Sequence, residues 1–184
     1  MLTFEPITTE DLPRITELYS TYLTEGQSLS DGTYTAWERG GCFGVKAVDR
    51  GEIAGFFSVR PGLDMTYPHP ALEREVREIA AGRKLYTVDG MLVLPGYRGE
   101  GLASRLVDAT IPELRRHTEL VLIEIWIYPD GSSPGKAPQE RLGEIIYSKK
   151  VPMFYRELPR YGMRCPFCGA ECVCGAYIEL AKIH

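Results

Sequence analysis

The sequence predicts one domain of the α/β or α+β class, spanning residues 1–184, and three features indicate it. Segments of strand-like composition alternate along the chain with segments of helical periodicity. The chain is long enough for one domain with a substantial core and does not require a second domain. No internal repeat or low-complexity tract interrupts the alternation.

The N-terminal segment predicts a strand followed by a helix. Residues 2–5 resemble a short strand, and Thr8 with Asp11 resembles a capping box that begins a helix running to about Leu23. Apolar and aromatic residues recur in this helix at a spacing that indicates a buried stripe. We interpret all of them as core residues, namely Leu12, Ile15, Leu18, Tyr19 and Tyr22.

The middle of the chain predicts a hairpin and then a surface helix. Residues 42–62 contain two strand-like runs joined by a turn at Asp49, Arg50 and Gly51. Residues 64–82 begin as a loop and continue as a helix whose charged faces indicate exposure. This segment is either a lid or a connector.

The C-terminal half alternates in the same way. It predicts a strand at 84–95, a helix from 99 that Pro112 stops or kinks at Ile111, and a largely buried strand at 119–129. Residues 129–138 predict a loop, and residues 139–158 an irregular helix interrupted by Pro152. The alternating residues 172–183 predict a closing strand or hairpin.

Composition argues against several classes of function. The net charge of −4 disfavours general binding to nucleic acids. The N-terminus does not read as a signal peptide, so we expect a cytoplasmic protein. The most apolar run, residues 120–128, is too short to cross a bilayer and contains Glu124, so no membrane span is expected.

The segment from Val88 to Leu106 carries the clearest chemical signal. A strand ends at Pro95, a glycine-containing loop follows, and a helix begins near Gly101. A helix N-terminus presents unpaired N–H groups and a partial positive charge, which together bind phosphate. Gly99 and Gly101 let phosphates approach the backbone, and Arg98 adds charge, caps the loop or faces solvent. The loop matches neither an ATP-type P-loop nor a dinucleotide fingerprint.

The hexad Arg98-Gly99-Glu100-Gly101-Leu102-Ala103 resembles the acyl-CoA loop of the GCN5-related N-acetyltransferase (GNAT) superfamily. The N-terminal strand-to-helix passage and the hairpin before the cofactor strand resemble that family too. The resemblance implies a bent, mixed β-sheet flanked by helices and splayed where acetyl-CoA binds. It also implies that the backbone of Met91, Leu92 and Val93 bonds the pantetheine arm, and Gly90 would permit a bulge nearby.

Two carboxylates are candidates for the general base that an amine acceptor requires. Asp89 matches a position where members of the resembled family often carry a carboxylate facing the acceptor; its alternative role is to bond the sheet edge. Glu124 lies in an apolar strand, on the face of Leu122 and Trp126, and must there be paired, hydrated or unusually basic. Its alternative is to point into solvent.

By the same resemblance, Tyr155 faces the CoA sulfur from a late helix and hydrogen-bonds the departing thiolate. The following residues depart from the family pattern and contain Pro159, so Tyr147 is the alternative. The loop residue His69 has no visible partner. Cys42 is interpreted as a small buried hydrophobe and not as a nucleophile.

Four of the five cysteines fall near the C-terminus, at Cys165, Cys168, Cys172 and Cys174. Their first pair resembles a zinc knuckle, so four thiolates are candidate ligands of a structural zinc ion. The two pairs lie closer in sequence than zinc ribbons usually allow, so disulfides and reduced thiols remain open.

The sequence therefore predicts an acetyl-CoA-dependent N-acetyltransferase that uses direct, sequential attack by a primary amine. The alternatives are a catalytically silent acyl-CoA-binding regulatory module and a zinc-stapled interaction domain. Residues 64–82 and 129–138 are expected to border the acceptor entrance. The acceptor and the oligomeric state stay open, and a homodimer is compatible with such a domain.

Overall fold

The computed structural model describes residues 1–23, 36–169 and 171–183, which contain a seven-stranded mixed sheet. The strands are β1 Thr3–Pro6, β2 Phe43–Asp49, β3 Glu52–Pro61, β4 Leu85–Val93, β5 Leu120–Ile127, β6 Glu144–Val151 and β7 Gly175–Lys182. Their order across the sheet is β1-β2-β3-β4-β5-β7-β6. The α-helices are α1 Leu12–Tyr22, α2 Pro70–Ala80, α3 Leu102–His117 and α4 Lys136–Glu140, and 3-10 helices span Thr9–Asp11, Pro95–Tyr97 and Phe154–Tyr161. The predicted fold class is confirmed.

The sheet divides between β4 and β5. These strands pair in parallel only where Leu85 to Thr87 lies beside Leu120 to Leu122. Beyond this point β4 stays bonded to β3 as far as Val93, and β5 stays bonded to β7 as far as Ile127. The carboxyl ends of the two strands therefore diverge and leave an opening in the sheet.

Both faces of the sheet are covered. On one face, α3 packs Leu106, Val107 and Leu114 into a core cluster that includes Val121 and Ile123 of β5. On the other, α2 and the C-terminal cysteines pack into a cluster with the remaining inward positions of β5. This division follows the two-residue period of a strand. Among the described residues, no helix is long and apolar enough to cross a membrane.

Of the two outcomes predicted at Ile111, a stop or a kink caused by Pro112, the stop was wrong, because the helix continues to His117 with Pro112 inside it. Proline removes one N–H and leaves the carbonyl four residues earlier without its helical donor. That carbonyl belongs to Asp108, which is exposed to water, as is Pro112 itself. Burial of Leu114 one half-turn later holds the helix together.

The prediction of an irregular helix over residues 139–158 was also wrong. The short α4 ends at Glu140, and β6 then pairs antiparallel with β7. Gly143 permits the close approach at the start of β6, since a Cβ there would lie 2.1 Å from the Lys182 carbonyl oxygen. Pairing with a distant strand overrode the local pattern.

Candidate functional site

The opening between β4 and β5 is a cleft of about 950 Å³. One wall comprises β4, the loop after it and the start of α3, whereas the other comprises β5 and segments that follow it. Segments 64–82 and 129–138 both contribute residues to the lining, among them Asp64, Thr66 and Pro134. One wall of the cleft therefore presents main-chain atoms, and the other presents polar side chains.

The loop before α3 has the geometry of an anion cradle. Gly99 and Gly101 adopt φ angles of +83° and +73°, a left-handed conformation that side chains disfavour. Nothing lies within 4 Å of an added Cβ at either position, so the space in front of the loop is open. The first helical hydrogen bond runs from Arg105 N to the Gly101 carbonyl, which leaves earlier N–H groups free of helical acceptors.

Most of the predicted cofactor-binding residues line the cleft. Met91, Leu92 and Val93 line it from β4, and Arg98, Gly99, Gly101, Leu102 and Ala103 line it from the loop and α3. Glu100 is exposed and does not belong to this lining. The Arg98 Nε donates a 2.9 Å hydrogen bond to the Val93 carbonyl, so this side chain caps the end of β4.

A bulge in β4 lies at the predicted position. Ser58 pairs with Gly90 but Val59 pairs with Val88, so Asp89 is the extra residue. Packing at Gly90 is also tight, because an added Cβ would lie 3.1 Å from the Phe56 ring and 3.2 Å from the Tyr19 ring. The bulge bends the strand where it borders the cleft.

Glu124 faces the cleft and is held by Thr66. The Thr66 backbone N–H donates to Oε2 at 3.0 Å, and its hydroxyl donates to Oε1 at 2.5 Å. Burial raises the pKa of Glu124, although the hydrogen bonds from Thr66 and Tyr155 act in the opposite direction. The alternative in which this carboxylate points into bulk solvent is wrong.

Asp89 lies in the same cleft but is paired with a cation. Its Oδ1 is 3.4 Å from the Arg60 Nε, and its Oδ2 accepts a 3.4 Å hydrogen bond from the Ser58 hydroxyl. Burial raises the pKa of Asp89, whereas the Arg60 charge and the Ser58 hydroxyl lower it. Arg60 also forms an ion pair with Asp64, at 3.1 Å.

Tyr155 lies deep in the cleft, in a 3-10 helix where the resemblance implied a late helix. Its ring stacks on the Trp126 indole, with centroids 3.7 Å apart and planes inclined by 10°. Burial, and then the charge and hydrogen bond of Glu124, raise the pKa of its phenol well above the usual value. The structure thus brings Tyr155 and Glu124 together.

The other candidate side chains lie elsewhere. Tyr147 belongs to β6 and donates a 2.8 Å hydrogen bond to Glu75, outside the cleft lining. The His69 ring stacks on Phe154, also outside the lining. Cys42 is buried, and burial raises the pKa of its thiol to about 12, as suits a core residue.

The four C-terminal cysteines come together in space. Their sulfur atoms all lie within 4.8 Å of one another, with 3.7 Å between Cys165 and Cys174 and 3.5 Å between Cys168 and Cys174. All four are free thiols in the structure. The short spacing between the two pairs in sequence therefore does not prevent four sulfurs from converging.

Several lining residues were missed or misread from the sequence. Tyr19 packs against the core as predicted and also lines the cleft, whereas Tyr22, interpreted as core, is exposed and lines the cleft. Thr66 and Arg60 carry no motif and Phe167 lies inside the cysteine motif, and all three reach the cleft from separate parts of the chain. Trp126 was recognisable only through the face that it shares with Glu124.

The chain matches the model described as acetyltransferase (GNAT) family over residues 12–132. No curated protein matches it. Arabidopsis thaliana NAA60 in complex with a bisubstrate analogue is similar with a TM-score of 0.68 and 17% identity, over 100% of this chain and 99% of that chain. The ribosomal-protein-S18-alanine N-acetyltransferase from Escherichia coli is similar with a TM-score of 0.63 and 18% identity, over 100% of this chain and 94% of that chain. Salmonella typhimurium yncA with its cofactor acetyl-CoA is similar with a TM-score of 0.63 and 14% identity, over 100% of this chain and 94% of that chain.

Proposed function

The chain belongs to the acetyltransferase (GNAT) family, and we propose that it transfers an acetyl group from acetyl-CoA to a primary amine. The observation that carries this proposal is one cleft with an anion cradle on one wall and Glu124 beside Tyr155 on the other. The cradle suits the pyrophosphate of CoA. The second wall supplies a proton acceptor and a hydrogen-bond donor for the transfer.

The cofactor is bound mainly by main-chain atoms in this proposal. The pyrophosphate accepts hydrogen bonds from N–H groups at Gly99 and in the first turn of α3. The pantetheine arm lies along Met91, Leu92 and Val93, on the edge of β4 that has left β5. The bulge at Asp89 would leave backbone N–H groups free to bond the acetyl carbonyl.

We assign the role of general base to Glu124. An alkylamine with a pKa near 10.4 is less than about 0.1% neutral at pH 7, so its proton must be removed before attack. A carboxylate whose pKa is raised by burial accepts a proton better near neutral pH. Burial raises the pKa of Asp89 too, but the Arg60 guanidinium 3.4 Å from its Oδ1 opposes this rise, so we assign Asp89 to binding the acceptor.

The reaction itself needs no covalent enzyme intermediate. Glu124 takes one proton from the ammonium group directly or through water, the neutral nitrogen then attacks the thioester carbon, and backbone N–H groups stabilise the oxyanion. The nitrogen releases its second proton to solvent as the intermediate collapses. Collapse breaks the C–S bond, and the Tyr155 hydroxyl donates a hydrogen bond to the departing thiolate. Because the phenol pKa is raised, this tyrosine keeps its proton and the thiolate takes one from solvent.

The acceptor is proposed only as an amine-bearing molecule. The name of the Escherichia coli neighbour refers to an alanine of a ribosomal protein, which makes peptide N-termini one class to test. Polyamines, amino acids and amine-bearing antibiotics are the other classes. A cytoplasmic location and a homodimeric state are part of the proposal and await cell fractionation and sedimentation measurements.

We also propose that the cysteine cluster binds a structural zinc ion. Zinc in a tetrahedron of thiolates has Zn–S bonds of about 2.3 Å, which place the sulfurs about 3.8 Å apart. Two of the sulfur pairs lie 3.5 and 3.7 Å apart, and all four sulfurs lie within 4.8 Å of one another. Cys165, Cys168, Cys172 and Cys174 would hold the ion, which serves no step of acyl transfer.

Calorimetric titration with acetyl-CoA tests the cofactor site. Wild-type protein should bind with micromolar affinity, and Gly101→Glu should abolish binding because a carboxylate then fills the cradle. Gly96→Glu is the matched control, because this loop position lies outside the cleft lining and has open space. Ala103→Glu is a second blocking variant whose backbone is helical, and circular dichroism verifies that each variant folds. Failure of folded wild-type protein to bind would overturn the proposal.

Turnover with a panel of amines then separates an enzyme from a binding module. Release of free CoA in the presence of one acceptor class, absent in Gly101→Glu, would support transfer. Binding without turnover across the whole panel would favour the regulatory alternative.

A further inference from the structure

The cysteine cluster is in direct contact with the wall of the cleft. The Tyr155 backbone N–H donates a 3.3 Å hydrogen bond to the Cys174 carbonyl. Phe167, which lies between two of the cysteines in sequence, contacts the Tyr128 ring at a centroid distance of 4.1 Å and the Trp126 ring at 6.2 Å. The proposed metal site and the proposed catalytic site therefore share a boundary.

The segment between the cysteines has little structure of its own. Within described residues 163–169 and 171–174, one isolated bridge joins Cys165 to Gly169, and no helix or strand is formed. Nevertheless Met163, Arg164, Pro166 and Phe167 line the cleft. A metal ion joining four thiolates would fix this segment, much as structural zinc ions order small domains that lack a core.

The buried indole N–H of Trp126 is a suitable hydrogen-bond donor to a metal-bound sulfur at Cys174. The Trp126 Nε1 is buried and has no hydrogen-bond partner of normal geometry among the described residues. Its N–H nevertheless interacts with the Cys174 sulfur. A thiolate bound to zinc carries more negative charge than a thiol and would accept this N–H. The same indole stacks on Tyr155 inside the cleft.

We propose that the zinc-bound cysteine segment forms one wall of the acyl-CoA cleft, so that zinc binding and acyl-CoA binding are thermodynamically coupled. This inference rests on the proposed function of the cleft. Phe167 and Pro166 line the cleft from this segment, and the ion holds them there. Zinc thereby contributes to cofactor affinity without touching the cofactor.

The coupling has a reciprocal consequence. If zinc tightens acyl-CoA binding by about tenfold, acyl-CoA must tighten zinc binding by the same factor. If zinc only stabilised the fold in general, substitution of a residue at this boundary, such as Phe167, would not specifically weaken acyl-CoA binding.

The first experiment measures binding of S-ethyl-CoA, a thioether that cannot remove zinc through a free thiol. The full chain is compared after loading with one zinc ion and after removal of metal under reducing conditions, with metal content measured by mass spectrometry. Metal-free protein should bind about tenfold more weakly, and zinc should bind about tenfold more tightly when S-ethyl-CoA is present. Equal affinities in two folded samples, or no stoichiometric zinc, would overturn the inference.

A matched pair of variants keeps the test decisive if metal-free protein unfolds. Phe167 and Val173 are both exposed on this segment, at 54% and 55%, but only Phe167 lines the cleft. Phe167→Ala should retain one zinc ion and bind S-ethyl-CoA about fivefold more weakly, whereas Val173→Ala should retain both properties. Equal affinity of the two variants would exclude this wall from cofactor binding.

Gly101→Glu separates failure of this inference from failure of the proposed function. If zinc-loaded wild-type protein binds S-ethyl-CoA and Gly101→Glu does not, the cradle is established whatever the zinc result. If neither binds, the function assigned to the cleft is wrong, and the coupling fails with it.

Discussion

The two walls of the cleft are built in different ways. The phosphate-loop wall is one continuous stretch, from β4 through Gly99 and Gly101 into α3, and the role proposed for it uses main-chain atoms. The opposite wall combines Thr66, Glu124 and Tyr155, which are far apart in sequence, and the roles proposed for them use side chains. The first wall suits a cofactor shared by a family, whereas the second is free to vary with the acceptor.

Glu124→Gln should cause the largest loss of kcat, and it tests the role of general base that is assigned to the second wall. An amide does not accept the amine proton, so kcat should fall by about 10²- to 10⁴-fold, while the affinity for acetyl-CoA should stay within about twofold. Steady-state kinetics and calorimetry on the same preparation measure both quantities. Asp89→Asn is the matched control and should act mainly on the KM of the acceptor. A larger fall in kcat for Asp89→Asn would transfer the role of base to Asp89.

The same carboxylate should leave a signature in stability. Its folded-state pKa is raised above the ordinary glutamate value of 4.5, so between these two pKa values the folded chain binds more protons than the unfolded chain. The contribution of Glu124 to the free energy of unfolding therefore falls as pH rises through this interval. Thermal denaturation at several pH values should show this fall in wild-type protein and a smaller one in Glu124→Gln. Identical pH dependences would show that the pKa of Glu124 is not raised.

Tyr155→Phe should have the next largest effect. It removes a hydrogen bond to the departing thiolate, so kcat should fall by about 10- to 100-fold with little change in cofactor affinity. The phenylalanine ring retains the stacking on Trp126, which limits any loss of stability. A series of acetyl-CoA analogues with better thiol leaving groups should reduce the difference from wild type. An undiminished difference would argue that Tyr155 acts on packing alone.

The sequence predicted the two walls unequally, for a physical reason. A phosphate cradle requires a strand, glycines and a helix in immediate succession, so residues 88–106 suffice to predict it. The position of Glu124 followed from strand periodicity, but its partner Thr66 did not, since 58 residues separate them. The resemblance implied Tyr155 despite the altered residues that follow it. The convergence of the cysteines depended on the turn at Gly169, whose φ is +67°, and not on their spacing.

Thr66→Val would sharpen the assignment of the base with a smaller change. Valine keeps the backbone N–H but removes the hydroxyl donor that helps to lower the pKa of Glu124. The pKa should therefore rise further, and the acidic limb of the kcat/KM profile should move to higher pH by about 0.5 to 1 unit. Ser148→Ala, outside the cleft lining, is a control that should leave the limb in place. A limb that does not move in Thr66→Val would show that another group governs it.

Tyr147→Phe should have the smallest effect on kcat. It is a useful comparison because the Tyr147 hydroxyl, like that of Tyr155, hydrogen-bonds a carboxylate. Tyr147 donates to Glu75 on α2, outside the cleft lining, and thereby joins β6 to the helix. Losing this hydrogen bond to a partly exposed carboxylate should lower the free energy of unfolding only slightly and leave kcat within about twofold of wild type. Chemical denaturation and steady-state kinetics measure the two quantities. If Tyr147→Phe lowered kcat as much as Tyr155→Phe, both hydroxyls would affect activity by stabilising the fold. A catalytic role for Tyr155 in the cleft therefore requires that the two variants differ in kcat.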